Sequence, residues 1–228
     1  MKSPVQPLRI GILALGWTLV CLGSWLAGCS IDEALPSAWV LGPTSKERLA
    51  QGTQDPKAAE QEILRALESL FGTATAPHWP LGDSQPEGAK VLAQAAQTYR
   101  EECSHCHGLE GYGNGPSSQF IQPKPWNFAL GVFPRSAPDG SEPKLPALVT
   151  LLENGIASSS MPHFARLGKP VLMGVAGHVL LLLKRTQVET KLVDAYLQGG
   201  PGSLTPERVE GILETWSAGP QSLAQPGR

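Results

Sequence analysis

Tyr99-Arg100-Glu101-Glu102-Cys103-Ser104-His105-Cys106-His107-Gly108 carries two cysteines three apart with a histidine directly after the second. That spacing puts both thiols on one helical turn, with the following imidazole on the same side. The chain around it has 228 residues, enough for one or two domains and one sizeable core. Its 18 Lys+Arg against 20 Asp+Glu give a net charge of −2. There is no basic footprint, and no nucleic-acid partner is expected. With 25 Gly and 21 Pro the chain is loop-rich, yet short of disordered composition. It has 4 cysteines, of which Cys21 and Cys29 are the remaining two.

Cys-x-x-Cys-His is the attachment pattern of c-type haem. Each thiol can reach one vinyl group of a macrocycle, and His107 can reach the iron from the same side. Two other chemistries use paired cysteines. A Cys103–Cys106 redox disulfide favours a βαβ setting, of which the sequence shows no sign. A zinc site wants a second ligand pair, which His105 and His107 would have to supply.

The N-terminus supports the haem reading, because such haem is attached outside the cytoplasm. Lys2 and Arg9 precede an apolar stretch from Ile10 to Leu26, the order of an export signal. The stretch ends Leu26-Ala27-Gly28-Cys29, which resembles the lipobox of bacterial lipoproteins. That resemblance implies cleavage of residues 1–28 and acyl chains on Cys29, several of which anchor stably. Cys21 would leave with the signal. The competing reading is an uncleaved N-terminal helix anchor, since residues 10–28 are just long enough to span. Both expect the rest of the chain outside the cytoplasm, on the periplasmic face of a membrane.

Residues 29–56 lack periodicity and are read as a flexible tether, with an r.m.s. reach of about 25–30 Å for roughly 25 residues. Residues 57–87 are expected to form a helix and a Pro/Gly loop. Asp55 caps this helix, Pro56 opens it, Gly72 stops it, and Ile63, Leu64, Leu67, Leu70 and Phe71 form its apolar stripe. A second helix fits 88–102, and 108–145 is loop-like. Pro146 to Asn154 is a short helix closed by Gly155. Lys169 to Leu197 holds one long helix or two, interrupted near Lys184–Thr190. Its apolar run Val171–Leu183 is too short to span and is read as buried. Residues 201–228 contain a helix opened by Thr205-Pro206 and a tail.

Residues 88–200 resemble the class I monohaem cytochromes c, on several matches along the sequence. Tyr99 stands four residues before Cys103, and Gly108 follows His107. Gly111-x-Gly113-Asn114-Gly115-Pro116 is similar to that family's turn after the motif. Pro123-Lys124-Pro125-x-Asn127-Phe128 and Gly131-Val132-Phe133 resemble its ring-edge loop. Asn154-Gly155-Ile156 and Met161-Pro162-x-Phe164 resemble its distal loop. The resemblance implies a mainly α fold wrapped around one covalent haem c, with extra N- and C-terminal helices here. It implies Met161 as the second iron ligand beside His107. His163, His178 and His78 are rivals, and Met173 reads as a core filler. It also implies that a proline carbonyl takes the His107 ring N–H, with Pro116 the best match and Pro123 second. Two matches are missing. No glycine lies near Ala95 or Ala96, where the family's helices cross, and His178 stands where an aromatic is expected.

Tyr112, Phe128, Phe133 and Phe164 are expected to line the ring, and Trp126 and Arg135 to hold its propionates, because a buried carboxylate needs donors. The Gly-rich stretch 111–115 lacks the Lys-Ser/Thr of a phosphate loop. An iron with both axial positions filled takes no small-molecule substrate, so electron transfer to redox protein partners at the membrane is expected rather than catalysis. The alternative is a fixed haem subunit of a larger oxidoreductase complex, with the helices at 57–71 and 206–216 as docking elements. A peroxidase or gas sensor would need an open iron or a second haem.

Overall fold

The computed structural model describes residues 38–80, 86–131, 133–138 and 143–217. The expected signal peptide, Cys21, Cys29, the start of the tether and the C-terminal tail lie outside these residues. Among them the chain is mainly helical and contains no strand beyond one isolated bridge, Gly72 to Pro77. Seven α-helices follow in order among the described residues: α1 Pro43–Gly52, α2 Pro56–Phe71, α3 Pro86–Glu102, α4 Ser104–His107, α5 Leu145–Asn154, α6 Lys169–Gly199 and α7 Pro206–Ser217.

α6 is the spine against which α1, α2, α3, α5 and α7 all pack. It is long and apolar enough to cross a membrane, and 78% of its most apolar 18-residue window is buried inside the fold. A helix apolar on every side is stable in water only when surrounded, and α6 is surrounded. Residues Leu172 to Leu183 face one core with Tyr99, Phe128, Phe133, Leu148, Leu152 and Phe164. Leu181 to Tyr196 face a second core with Ile63, Leu67, Phe71, Val209 and Leu213.

α2 follows its sequence signals. The Asp55 carboxylate accepts the Ala58 N–H at 3.0 Å, Pro56 occupies the first turn, and Gly72 ends the helix at φ +71°. Its buried face, including Ala59, Ile63, Leu67 and Phe71, lies on α6. Each such large side chain contributes roughly 1.5–3 kcal/mol. α3 crosses α6 where Gly174 faces Ala95, and a Cβ on Gly174 would sit 3.3 Å from the Ala95 methyl. Small residues thus meet from both helices, Gly174 from α6 and Ala95 from α3. At the same crossing, the His178 imidazole lies 5.1 Å from the Tyr99 ring, tilted by 58°.

Two sequence expectations are corrected, and one open alternative is decided. Residues 38–56 are not tether: Trp39 and Leu41 are buried, and α1 buries Leu49. α1 carries little apolar periodicity, and its one deeply buried leucine gave no stripe to read. Of the two readings of 169–197, α6 takes the first, one helix continuous through Lys184–Thr190. The Thr186 hydroxyl donates to Leu183 O (2.8 Å) and the Thr190 hydroxyl to Thr186 O (3.1 Å). Arg185 pairs with Glu189 one turn on, so the polar run stays helical. Met173 is 51% exposed and fills no core.

Candidate haem-binding site

α3 leads straight into the motif: Cys103 N–H donates to Tyr99 O at 2.9 Å, and Cys103 then becomes the N-cap of α4. His107 N–H returns to Cys103 O at 2.9 Å, closing the turn. Gly108 ends it at φ +78°, where a Cβ would meet the Asn114 side-chain oxygen at 2.3 Å. Only glycine fits that position without strain.

Cys103, Cys106 and His107 line a cavity of about 550 Å³. Met161 enters the same cavity from the segment after α5. That segment folds back on itself. Ile156 N–H donates to Met161 O (3.1 Å), Met161 N–H to the Ser159 hydroxyl (3.1 Å), and Phe164 N–H to Leu152 O (2.8 Å). Gly155, at φ +66°, passes so close to Pro162 that a Cβ would lie 2.6 Å from its carbonyl carbon. The walls are the apolar side chains Phe128, Phe133, Leu148, Leu152, Phe164 and Val179. Exposed Lys124, Arg135 and Arg166 also line the cavity and so stand at its mouth, where Arg166 pairs with Glu102.

His107 Nδ1 lies 3.2 Å from Trp126 O. A carbonyl only accepts, so the proton sits on Nδ1 and Nε2 keeps its lone pair. This is the tautomer of a metal-binding imidazole whose orientation is held by a backbone carbonyl. Burial lowers the His107 pKa, the Trp126 bond opposes that, and nearby His105 adds to it. Phe128 stacks on the imidazole at 5.0 Å. The Cys103 and Cys106 thiols are free of any disulfide. Burial, helped by Glu102 and Cys106, pushes Cys103 up to about 12, and burial also raises Cys106. The Cys103 thiol is therefore held protonated in the neutral range. Among the described residues no group of three or more His, Cys, Asp and Glu side chains is arranged to hold a metal ion.

The structure thus brings together Cys103, Cys106, His107, Trp126, Phe128, Phe133, Arg135, Met161 and Phe164. Arg135 also donates to the Ser158 hydroxyl at 3.1 Å. Two expected site residues are elsewhere. Pro116 opens a short 3₁₀ helix and its carbonyl accepts from the Gln119 side chain, while Trp126 supplies the carbonyl for His107. Tyr112 faces away from the cavity, and its hydroxyl donates to Glu189 Oε2 at 2.8 Å. Of the rival histidines only His163 lines the cavity. His178 is buried on Tyr99, and desolvation pulls its pKa down to about 3.

Sequence reading missed the Trp126 carbonyl and the walls from Leu148, Leu152 and Val179. The leucines share one face of α5 at i, i+4, a usable signal. The carbonyl has none, because every residue carries one.

The residues present fit a haem. A largely apolar cavity of about 550 Å³ lies within the range of small-ligand sites. Two thiols and a lone-pair nitrogen stand at one wall, a thioether enters from another segment, and cations stand at the mouth. No protein-family model, no curated protein and no solved structure matches the chain.

Proposed function

We propose that this chain is an exported, membrane-tethered c-type cytochrome of the class I kind, carrying out one-electron transfer through a single haem c. The observation that carries this reading is the meeting of Cys103, Cys106, His107 and Met161 on one apolar cavity. When bound, the haem supplies an Fe(III)/Fe(II) couple whose potential its axial ligands set. The chain's own residues do the rest. Cys103 and Cys106 Sγ would hold the group covalently through its vinyl substituents. His107 Nε2 and Met161 Sδ would be the protein donors to the iron, and Trp126 O holds the proton on His107 Nδ1. The aromatic and leucine walls exclude water, and Arg135 with Lys124 would offer donors to the propionates.

In this reading residues 1–28 are the signal and Cys29 carries the lipid. Trp39 lies ten residue steps after Cys29, so that stretch of chain spans at most about 33–36 Å. α2 and α7 pack into the core on α6, which favours a carrier over a subunit docked through those helices.

The absorption spectrum of the full chain, purified from a host that matures c-type haem, tests the reading. The expected result is a covalent, low-spin, six-coordinate haem whose ferric form shows the weak methionine-to-iron band. Absence of covalent haem overturns it. Met161→Ala should remove that band, lower the potential and let ferrous protein bind CO. An unchanged spectrum would show that Met161 is not the ligand.

A further inference from the structure

A buried polar cluster lies outside the cavity and takes no part in the chemistry above. Arg185 and Glu189 of α6 are 0% and 2% exposed, and their side chains pair at 3.1 Å. A buried ion pair is costly to form unless its remaining donors and acceptors are also met. Here residues 39–42 and the loop after α4 meet them. Glu189 also accepts from Gly42 N–H (2.9 Å) and from the Tyr112 hydroxyl (2.8 Å). Arg185 donates to Val40 O (3.1 Å) and lies 4.9 Å from the Trp39 ring centroid. Glu110 accepts Val40 N–H at 3.1 Å. Burial raises the Glu110 pKa, opposed by that N–H and by Arg185. Within the cluster, among the described residues, only Arg185 Nε is left without a partner.

The loop held at Glu110 and Tyr112 is the one that sets the site. Between them, Gly111 O accepts Phe128 N–H at 2.8 Å, and a Cβ on Gly111 would strike the Phe128 ring at 2.2 Å. Gly113 N–H donates to His107 O at 2.8 Å, and a Cβ there would lie 2.5 Å from Pro125 O. The 110–113 loop is therefore pressed against residues 125–128. Trp126 O, which holds His107 Nδ1, belongs to that segment.

We infer that Glu189 and Tyr112 are positioning residues for His107: with Arg185 they lock the loop that backs residues 125–128, and so set how closely Trp126 O holds the His107 ring. This rests on the haem reading, because the strength of that hydrogen bond matters through the iron it tunes. A shorter Nδ1–H···O contact makes the imidazole a stronger donor and favours ferric iron. Loosening the cluster lengthens the contact and favours ferrous iron.

The test is the equilibrium ferrous-to-ferric ratio of the full haem-loaded chain at a fixed solution potential. Glu189→Gln and Tyr112→Phe are read beside Leu213→Ala, which opens the second core at α7. Glu189→Gln should raise the ratio about tenfold, equivalent to ~59 mV for one electron. Tyr112→Phe removes one hydroxyl and keeps the ring, so it should fold where Glu189→Gln does not and raise the ratio in the same direction. Leu213→Ala should lower stability and leave the ratio unchanged. Ratios for both cluster variants equal to wild type overturn the inference alone, as does an equal rise in Leu213→Ala. A wild-type chain without covalent haem overturns the haem reading and this inference together.

Discussion

Around the first half of α6 the packing partners are short helices, loops and aromatic rings, and they leave a cavity of about 550 Å³. Around the second half, α2 and α7 lay leucine, isoleucine and valine side chains onto the same helix and fill the space. Leu64 and Trp79 touch both cores. The contrast shows how one helix can serve two ends. Cavity walls make fewer dispersion contacts with one another than the side chains of a filled core do. In the proposed reading, one helix runs through both cores, and the filled one holds it in place beneath the haem site.

The contrast can be broken most severely from the hollow side. Replacing Cys103 and Cys106 together by alanine should abolish covalent haem. Hydrogen exchange should then show residues 108–135 and 155–167 losing protection while α2 and the second half of α6 keep theirs. Equal loss in both halves would mean that the filled core does not stand without the haem. From the other side, Leu67→Ala removes a side chain that is 0% exposed in the filled core. It should cost about 2–5 kcal/mol in denaturant unfolding and leave the haem spectrum unchanged. A changed spectrum would erase the distinction between the halves.

The smallest expected effect sharpens the boundary, where His178 sits on Tyr99. A histidine with a folded pKa of about 3 against 6.5 binds fewer protons folded than unfolded between those values. Its burial costs nothing extra above pH 6.5, and stability falls as pH drops below it toward about pH 3. His178→Phe should flatten this acid-side decline in thermal melts between pH 4 and 7. Parallel curves for the two proteins would refute that origin.

What the sequence made legible follows from which signals are chemical and which are spatial. Asp55, Pro56 and Gly72 bound α2 because caps and breakers act locally. Cys103, Cys106 and His107 stand out because their residue types and spacing are rare together. Arg185 and Glu189 suggested a break in α6, since charge in a run of leucines reads as solvent contact. The partners that let them stay buried are 145 and 147 residues away, at Val40 and Gly42. Residues 38–56 read as tether for the same reason. Trp39 and Leu41 become core only once α6 and Glu110 are in place. Met173 read as core because its helix is apolar all round, yet its own face is open.

Trp39 is the place where the described chain first grips the fold, and this has a mechanical meaning. Its indole N–H donates to Gly72 O at 2.8 Å, its ring lies under Arg185, and the next residue is tied to Glu110. A pull arriving along the backbone from residue 38 is passed at once to the end of α2, to the middle of α6 and to the loop after α4. None of those bonds goes to the segment that bears Met161. Drag on a tethered domain would load the scaffold while the Met161 side of the cavity stays slack.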